Sequence, residues 1–210
     1  MDLRIVNLLG QLTEYEEAWQ LQRKLHEEVV AGSPNTLILV EHPPVFTAGK
    51  RTQPEDRPWD GSRVIDVDRG GRITWHGPGQ LVGYPLIRLP QPVDVMAYVH
   101  LLEDSLMATC QTFNIATTRV PDRTGVWVPK AESGDKIAAI GVRVARGVTM
   151  HGFALNCNSD LSWFERIVPC GIPDAGVTSI SKETGVSVGI DEVVDIMLGD
   201  LKLRLLDFAV

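Results

Sequence analysis

Cysteine is scarce in this chain. Only Cys110, Cys157 and Cys170 occur among its 210 residues. An odd number cannot pair completely, and no two stand at a Cys-x-x-Cys spacing. That excludes a disulfide framework and a cysteine zinc site as organising devices; no metal is expected, and a reducing cytoplasm suits the chain. Long apolar runs are also missing. None reaches the roughly 18 residues a membrane span requires, so no span is expected. Basic charge is in deficit: 20 Lys and Arg face 27 Asp and Glu, for a net charge of -7. Nucleic acid is therefore not an expected partner, since phosphate binding needs concentrated Lys and Arg. The opening Met1-Asp2-Leu3-Arg4-Ile5-Val6 is too short and too charged for a signal peptide. Internal repeats and low-complexity tracts are absent.

What is present is an ordinary soluble composition, 44% hydrophobic and 22% charged. The length suits one domain over residues 1–210, large enough to remove roughly 70% of the unfolded chain's surface. A monomer is the expected state. Leu3 to Leu9 reads as a strand. Thr13 and Glu16 have the form of a capping box, opening a helix with Ala18, Leu21, Leu25 and Val29 on one face and a stop near Gly32-Ser33-Pro34. Thr36 to Val40 is continuously apolar, as in a strand buried on both faces. Residues 51–62 read as a loop and Val64–Val67 as a short strand. Leu81 to Leu89 reads as another strand. Asp94 caps a helix over Val95–Phe113. A short strand over Gly125–Val128 precedes a hairpin of Lys136–Ala145 with Met150–Asn156, and a last helix covers Asp191–Asp207. Helices at both ends with strands between them predict an α+β (mixed α/β) sheet protein.

The segment Arg69-Gly70-Gly71-Arg72-Ile73-Thr74-Trp75-His76-Gly77-Pro78-Gly79-Gln80 combines four glycines with one histidine. Glycine lets a backbone approach a ligand closely, and histidine titrates near neutrality. A Gly/Pro-rich surface turn is the plainer alternative. Cys170 lies in Ile167-Val168-Pro169-Cys170-Gly171-Ile172, a stiff bend with open space on one side, which suits a nucleophile; an inert thiol packed beneath Ile167 and Ile172 fits the same residues. Lys136 opens an apolar strand, where desolvation would favour the neutral amine and make it a base for the thiol; a solvated lysine at a loop–strand junction is the alternative. His76 and His151 are further candidates, though neither has an Asp or Glu placed beside it in sequence. His26 and His100 read as ordinary helix-face residues, and His42 as a strand end.

Taken together, Glu41-His42-Pro43-Pro44-Val45-Phe46-Thr47-Ala48-Gly49, the Arg69–Gln80 segment with Tyr84-Pro85, Gly125-Val126-Trp127, Lys136-Ile137-Ala138-Ala139-Ile140-Gly141, His151-Gly152-Phe153-Ala154-Leu155-Asn156 and Pro169-Cys170-Gly171-Ile172 resemble the lipoyl/octanoyl transferases (lipoate-protein ligase B, octanoyl-[acyl carrier protein]:protein N-octanoyltransferase). The matching segments extend from about residue 37 to residue 180. The polar stretch Ala131–Asp135 is longer than that family's pattern before its lysine.

The resemblance implies a central mixed sheet flanked by helices plus a small second sheet, as in the catalytic module of lipoate and biotin ligases. It implies transfer of an octanoyl group from octanoyl-acyl carrier protein to a lysine of lipoyl domains, those of 2-oxoacid dehydrogenases or of the glycine cleavage H protein. No cofactor is implied. Cys170 is then the nucleophile and Lys136 its general acid/base. Arg69, Gly70, Gly71, Arg72, Ile73, Thr74, Trp75, His76 and Gly77, with Ala139, Ile140, Gly141, His151, Gly152 and Phe153, are expected to bind substrate. Gly70, Gly71 and Gly77 would supply room, and His76 one wall. Because both protein partners are expected to be acidic where they dock, a local basic patch is predicted among Arg51, Arg57, Arg69, Arg72, Arg143 and Arg146. Two rival readings remain at this stage: an ATP-dependent lipoate ligase on the same scaffold, and a non-catalytic module that binds acyl carriers or lipoyl domains.

Overall fold

In the computed structural model the described residues are 3–130, 134–167 and 176–208. Cys170 with its neighbours Pro169 and Gly171, the proposed nucleophile bend, falls outside them, as does 131–133 of the polar stretch.

The chain runs β1 (Arg4–Leu12), α1 (Tyr15–Val30), β2 (Thr36–Glu41), β3 (Val45–Ala48), β4 (Val64–Asp66), β5 (Ile73–His76), β6 (Gln80–Leu86), α2 (Val95–Thr112), β7 (Thr118–Val120), β8 (Arg123–Pro129), β9 (Gly134–Ala145), β10 (Val148–Asn156), β11 (Gly176–Val177), α3 (Ile180–Thr184) and α4 (Ile190–Phe208). The main sheet has the order β1-β2-β6-β10-β9-β8-β7, with β11 added to β9; β3, β4 and β5 form a second, three-stranded sheet. β1 and β2 are parallel, as are β9 and β11, while the other neighbours in the main sheet are antiparallel. The fold is thus α+β with a mixed sheet and a small accessory sheet.

Strand alternation sorts the core into two layers. Leu37, Leu39, Leu81, Phe153 and Leu155 point to α2 and α4, joining Tyr98, Leu102, Met197 and Leu201. Ile38, Val40, Val82, Tyr84 and Ala154 point the other way, onto Ala18, Leu25 and Val29 of α1. Burial on both faces is why β2 carries a continuous apolar run. The accessory sheet has its own apolar cluster, Phe46, Ile73 and Trp75 with Phe164 and Ile167. Among the described residues no helix is long and apolar enough to cross a membrane.

Asp94 caps α2 as expected, its side chain accepting from Ala97 N at 2.9 Å. Thr13 does not cap α1. The N-cap is Glu14, without a side-chain cap bond. The Thr13 carbonyl accepts from His42 Nδ1 instead (2.7 Å), and the Tyr15 ring is buried as the helix starts. Tertiary packing thus sets the helix start ahead of the local capping pattern. The glycine segment is not all loop, since its centre is strand β5. His26 is not an ordinary face residue: it is buried, and its Nε2 donates to Ala145 O (3.1 Å), tying α1 to the β9–β10 turn.

β9 changes partners along its length. Its first residues lie between β8 and β11, with Lys136 opposite Trp127 on one side and Val177 on the other. From Ala138 onward β10 takes the place of β11. Lys136 therefore sits where the sheet forks.

Candidate active site

A cavity of about 920 Å³ opens between the glycine segment and strands β9 and β10. Its wall includes Arg69, Gly70, Gly71, Arg72, Ile73, Thr74 and His76 from the segment, Ala139, Ile140 and Gly141 from β9, and His151, Gly152 and Phe153 from β10. Lys136 borders it too, and Lys50, Arg51 and Arg123 add positive charge to the rim. The wall thus joins an apolar surface to a cationic edge.

Arg69 builds this wall rather than facing solvent. Its Nη1 donates to Gly70 O (3.0 Å) and Arg72 O (2.8 Å), and its Nη2 donates to Thr47 O (2.8 Å) and Thr47 Oγ1 (2.9 Å). Gly70 N donates to Val142 O (3.0 Å), stitching the loop to β9. The close fit requires glycine beneath the guanidinium: a Cβ on Gly141 would lie 2.9 Å from Arg69 Cδ, and one on Gly49 2.5 Å from Gly71 O.

Two expected slot residues lie elsewhere. Trp75 is fully buried on the opposite side of β5, stacked 5.9 Å from Trp163 and packed edge-on to Phe164. Gly77 lies under that indole, where a Cβ would sit 2.0 Å from the ring, so it makes room for Trp75 and not for a ligand. Alternation along β5 is the reason: Thr74 and His76 face one way, Ile73 and Trp75 the other. The predicted basic patch also differs. Arg69 is internal, and Arg57, Arg72, Arg143 and Arg146 are paired with Asp66, Asp56, Asp68 and Glu27.

Behind the wall lies a cluster of rings that sequence spacing did not reveal. Tyr15 stacks on His76 at 5.8 Å, and His42 lies 5.2 Å from Tyr15 and 5.8 Å from His76. Tyr84 OH is 2.9 Å from His42 Nε2. Because Thr13 O can only accept, His42 carries its proton on Nδ1, and Tyr84 OH donates to Nε2. Burial pushes His42 down to about 4; burial, with His42 and Arg69 nearby, pushes His76 down to about 3. Both rings are neutral at pH 7. Among the described residues no carboxylate is hydrogen-bonded to either ring. The unfolded chain takes up these protons near the ordinary 6.5 and the folded chain does not. Stability is therefore complete above 6.5 and is lost as pH falls toward 4, at about 1.4 kcal/mol per pH unit for each ring. Urea midpoints are expected to drop steeply between about pH 6.5 and 4.5. His42→Gln with His76→Gln would flatten that limb, and an unflattened limb would refute the assignment.

His151 gains the carboxylate its sequence neighbourhood lacks. Its Nε2 is 2.7 Å from Asp68 Oδ1, 83 residues away in sequence. Burial first, and then the positive Arg69, Arg143 and Arg23, push His151 down to about 3. The contact is then a neutral N–H donating to a carboxylate. The backbone at His151 is left-handed (φ 56°), and its N–H donates to Gln22 Oε1 (3.0 Å). Such a conformation in a non-glycine residue costs on the order of 1 kcal/mol and concentrates at functional sites.

Lys136 is buried at the sheet fork. Its Nζ donates to Thr124 O (3.1 Å) and lies 4.6 Å from the Trp127 ring centre. Gly125 (φ 123°) keeps β8 close to β9 there, since a Cβ would meet Ala138 O at 2.5 Å and Lys136 Cε at 3.4 Å. Buried Glu103 on α2 pins the start of β8 by accepting from Gly125 N (2.9 Å), while Arg119 Nε neutralises it at 2.7 Å. Cys110 and Cys157 are fully buried, and desolvation pushes each thiol up to about 12. Both are inert packing groups. Among the described residues no three His, Cys, Asp or Glu side chains converge as metal ligands would.

Comparison with known proteins adds lineage to this geometry. A curated octanoyltransferase from Salinispora tropica is 58% identical over 186 residues, covering 87% of this chain and 87% of the relative. Another from Mycolicibacterium smegmatis is 58% identical over 192 residues, covering 90% and 84%. Among solved structures, the bi-partite lipoate protein ligase of Thermoplasma acidophilum superposes with a TM-score of 0.74 at 16% identity, over 98% of this chain and 84% of that one. That likeness establishes the fold alone. The model of the lipoyl protein ligase A/B catalytic domain matches residues 14–202, and the chain belongs to that family.

Proposed function

We propose that this chain is an octanoyltransferase, acting in the cytoplasm as one catalytic domain at the first step of endogenous protein lipoylation. It moves an octanoyl group from octanoyl-acyl carrier protein to the acceptor lysine of a lipoyl domain, as in the 2-oxoacid dehydrogenases or the glycine cleavage H protein. The observation that carries this reading is the 920 Å³ cavity, part apolar and part cationic, that ends at Lys136 in a chain 58% identical to named octanoyltransferases. Ala139, Ile140, Val142 and Phe153 offer the tail an apolar surface. Burial contributes about 0.8 kcal/mol per methylene, or about 5 kcal/mol for the tail. Lys50, Arg51 and Arg123 at the rim suit acidic carriers.

In the proposed reaction Cys170 attacks the carrier thioester, with Lys136 taking the thiol proton. The carbon–sulfur bond to the carrier breaks, and Lys136 returns the proton to the departing thiol. Thioester exchange is nearly balanced in energy. The acceptor lysine, deprotonated with help from Lys136, then attacks the Cys170 thioester; the amide forms and the cysteine thiol is restored. Thioester to amide runs downhill, so no ATP is consumed.

Incubation with octanoyl-carrier protein in the absence of ATP, followed by intact mass, tests this. One octanoyl group on the Cys170 peptide is expected. An adduct or product that forms only with ATP and free octanoate or lipoate would establish the ligase instead.

A further inference from the structure

Buried side chains form one hydrogen-bonded line from the accessory sheet to the main sheet. Arg69 Nη2 donates to Thr47 Oγ1 (2.9 Å), and Thr47 Oγ1 lies 3.3 Å from His76 Nε2. His76 Nδ1 lies 2.8 Å from Gln80 Oε1, Gln80 Nε2 donates to Asn156 Oδ1 (2.9 Å), and Asn156 Nδ2 donates to Thr178 O (2.9 Å). Gln80 and Asn156 are direct cross-strand partners on β6 and β10. All six residues are buried.

Only one polarity fits this line. A carbonyl accepts and never donates, so Thr178 O must meet the amide nitrogen of Asn156. Asn156 Oδ1 is left to accept from Gln80, and Gln80 Oε1 to accept from His76 Nδ1–H. The neutral ring then offers its Nε2 lone pair to the Thr47 hydroxyl, and Arg69, a donor only, closes the line. A change of polarity at any link is passed on until it meets the Thr178 carbonyl. Thr178 is also held from its other side, its N–H donating to Lys136 O (3.0 Å). The line thus ends on the residue following β11, beside the lysine. Lys136, Gln80 and Asn156 border the same small space of about 20 Å³.

We infer that Asn156, oriented by Gln80, is a positioning residue for Lys136: it holds β11 in register against the lysine's backbone and so sets where the amine stands. The inference rests on Lys136 being the acid/base of the proposed function.

Asn156→Asp tests it, because shape is kept while the donor to Thr178 O is lost. The expected result at about pH 8.5 is a kcat about 100-fold below the unsubstituted protein, with KM for octanoyl-carrier protein within about threefold. As pH is lowered to about 6.5, a buried carboxyl regains its proton. Its O–H again donates to Thr178 O while its other oxygen accepts from Gln80. The ratio of variant to unsubstituted kcat then rises about tenfold. Among the described residues the charged or titratable groups nearby are His76 and Arg69 along the line, Lys136 beside its end, Glu183 bonded to the Thr178 hydroxyl, Glu41, which accepts from Gly79 N, and the Cys157 thiol. They are common to both proteins, so the ratio isolates the new carboxyl. A kcat unchanged at either pH, or a deficit that does not vary with pH, overturns the inference. Should Asn156→Asp not fold, Gln80→Glu provides the measure: kcat about tenfold lower at unchanged KM is expected, and an unchanged kcat overturns it. Lys136→Met keeps the two ideas separable. If it is fully active, the lysine reading itself falls; if it is inactive beside a normal Asn156→Asp, only the positioning role falls.

Discussion

Cys170→Ala is expected to carry no octanoyl group and to lower transfer by at least about 10⁴-fold. Loss of a covalent nucleophile removes the whole two-step route, and the acceptor amine would then have to meet the carrier thioester directly. No other thiol can substitute. Cys110 and Cys157 are sealed in the core between the sheet and helices α2 and α4, and burial pushes both up to about 12. Neither borders the cavity. Intact mass after exposure to octanoyl-carrier protein, read beside single-turnover transfer, measures both effects. An octanoylated Cys170→Ala protein, or turnover within about tenfold of the unsubstituted chain, would end the acyl-enzyme mechanism.

Lys136→Arg is expected to lower kcat by about 10²- to 10⁴-fold while leaving the KM for both protein substrates nearly unchanged. A guanidinium can still donate to Thr124 O and lie over the Trp127 ring, so the donor and much of the packing survive. It does not give up a proton near neutral pH, and both steps of the proposed reaction need that transfer. The split between kcat and KM is the informative reading. A matching rise in KM would assign Lys136 to binding, and a kcat within threefold would remove it from proton transfer altogether.

The two substitutions act at places of very different legibility. Lys136 stands out in sequence because it opens an apolar strand, and the strand is there. Its surroundings do not stand out: Thr124, Gly125 and Trp127 arrive from β8 and Glu103 from α2. Trp75 was expected in the slot because the family motif runs straight through it, yet alternation along β5 turns it into the Phe46 cluster. Arg69 was expected both as a substrate contact and in a docking patch. It lines the cavity as the buried staple of its wall and not as a docking residue, since the carbonyls of Thr47, Gly70 and Arg72 converge on its guanidinium only once β3 pairs with β4 and β5.

By itself, the order of residues determined the doubly buried apolar run of β2, the Asp94 cap, the hairpin of β9 with β10 and the family motifs. Each of these is written within a few neighbouring residues, where periodicity and capping act. Only the tertiary structure decided that His151 meets Asp68, that Tyr15 enters the ring cluster at the expense of a Thr13 cap, and that one line of donors joins Arg69 to Thr178. Those contacts link positions many residues apart. Their existence depends on strand register and sheet packing, which no local pattern of residues encodes.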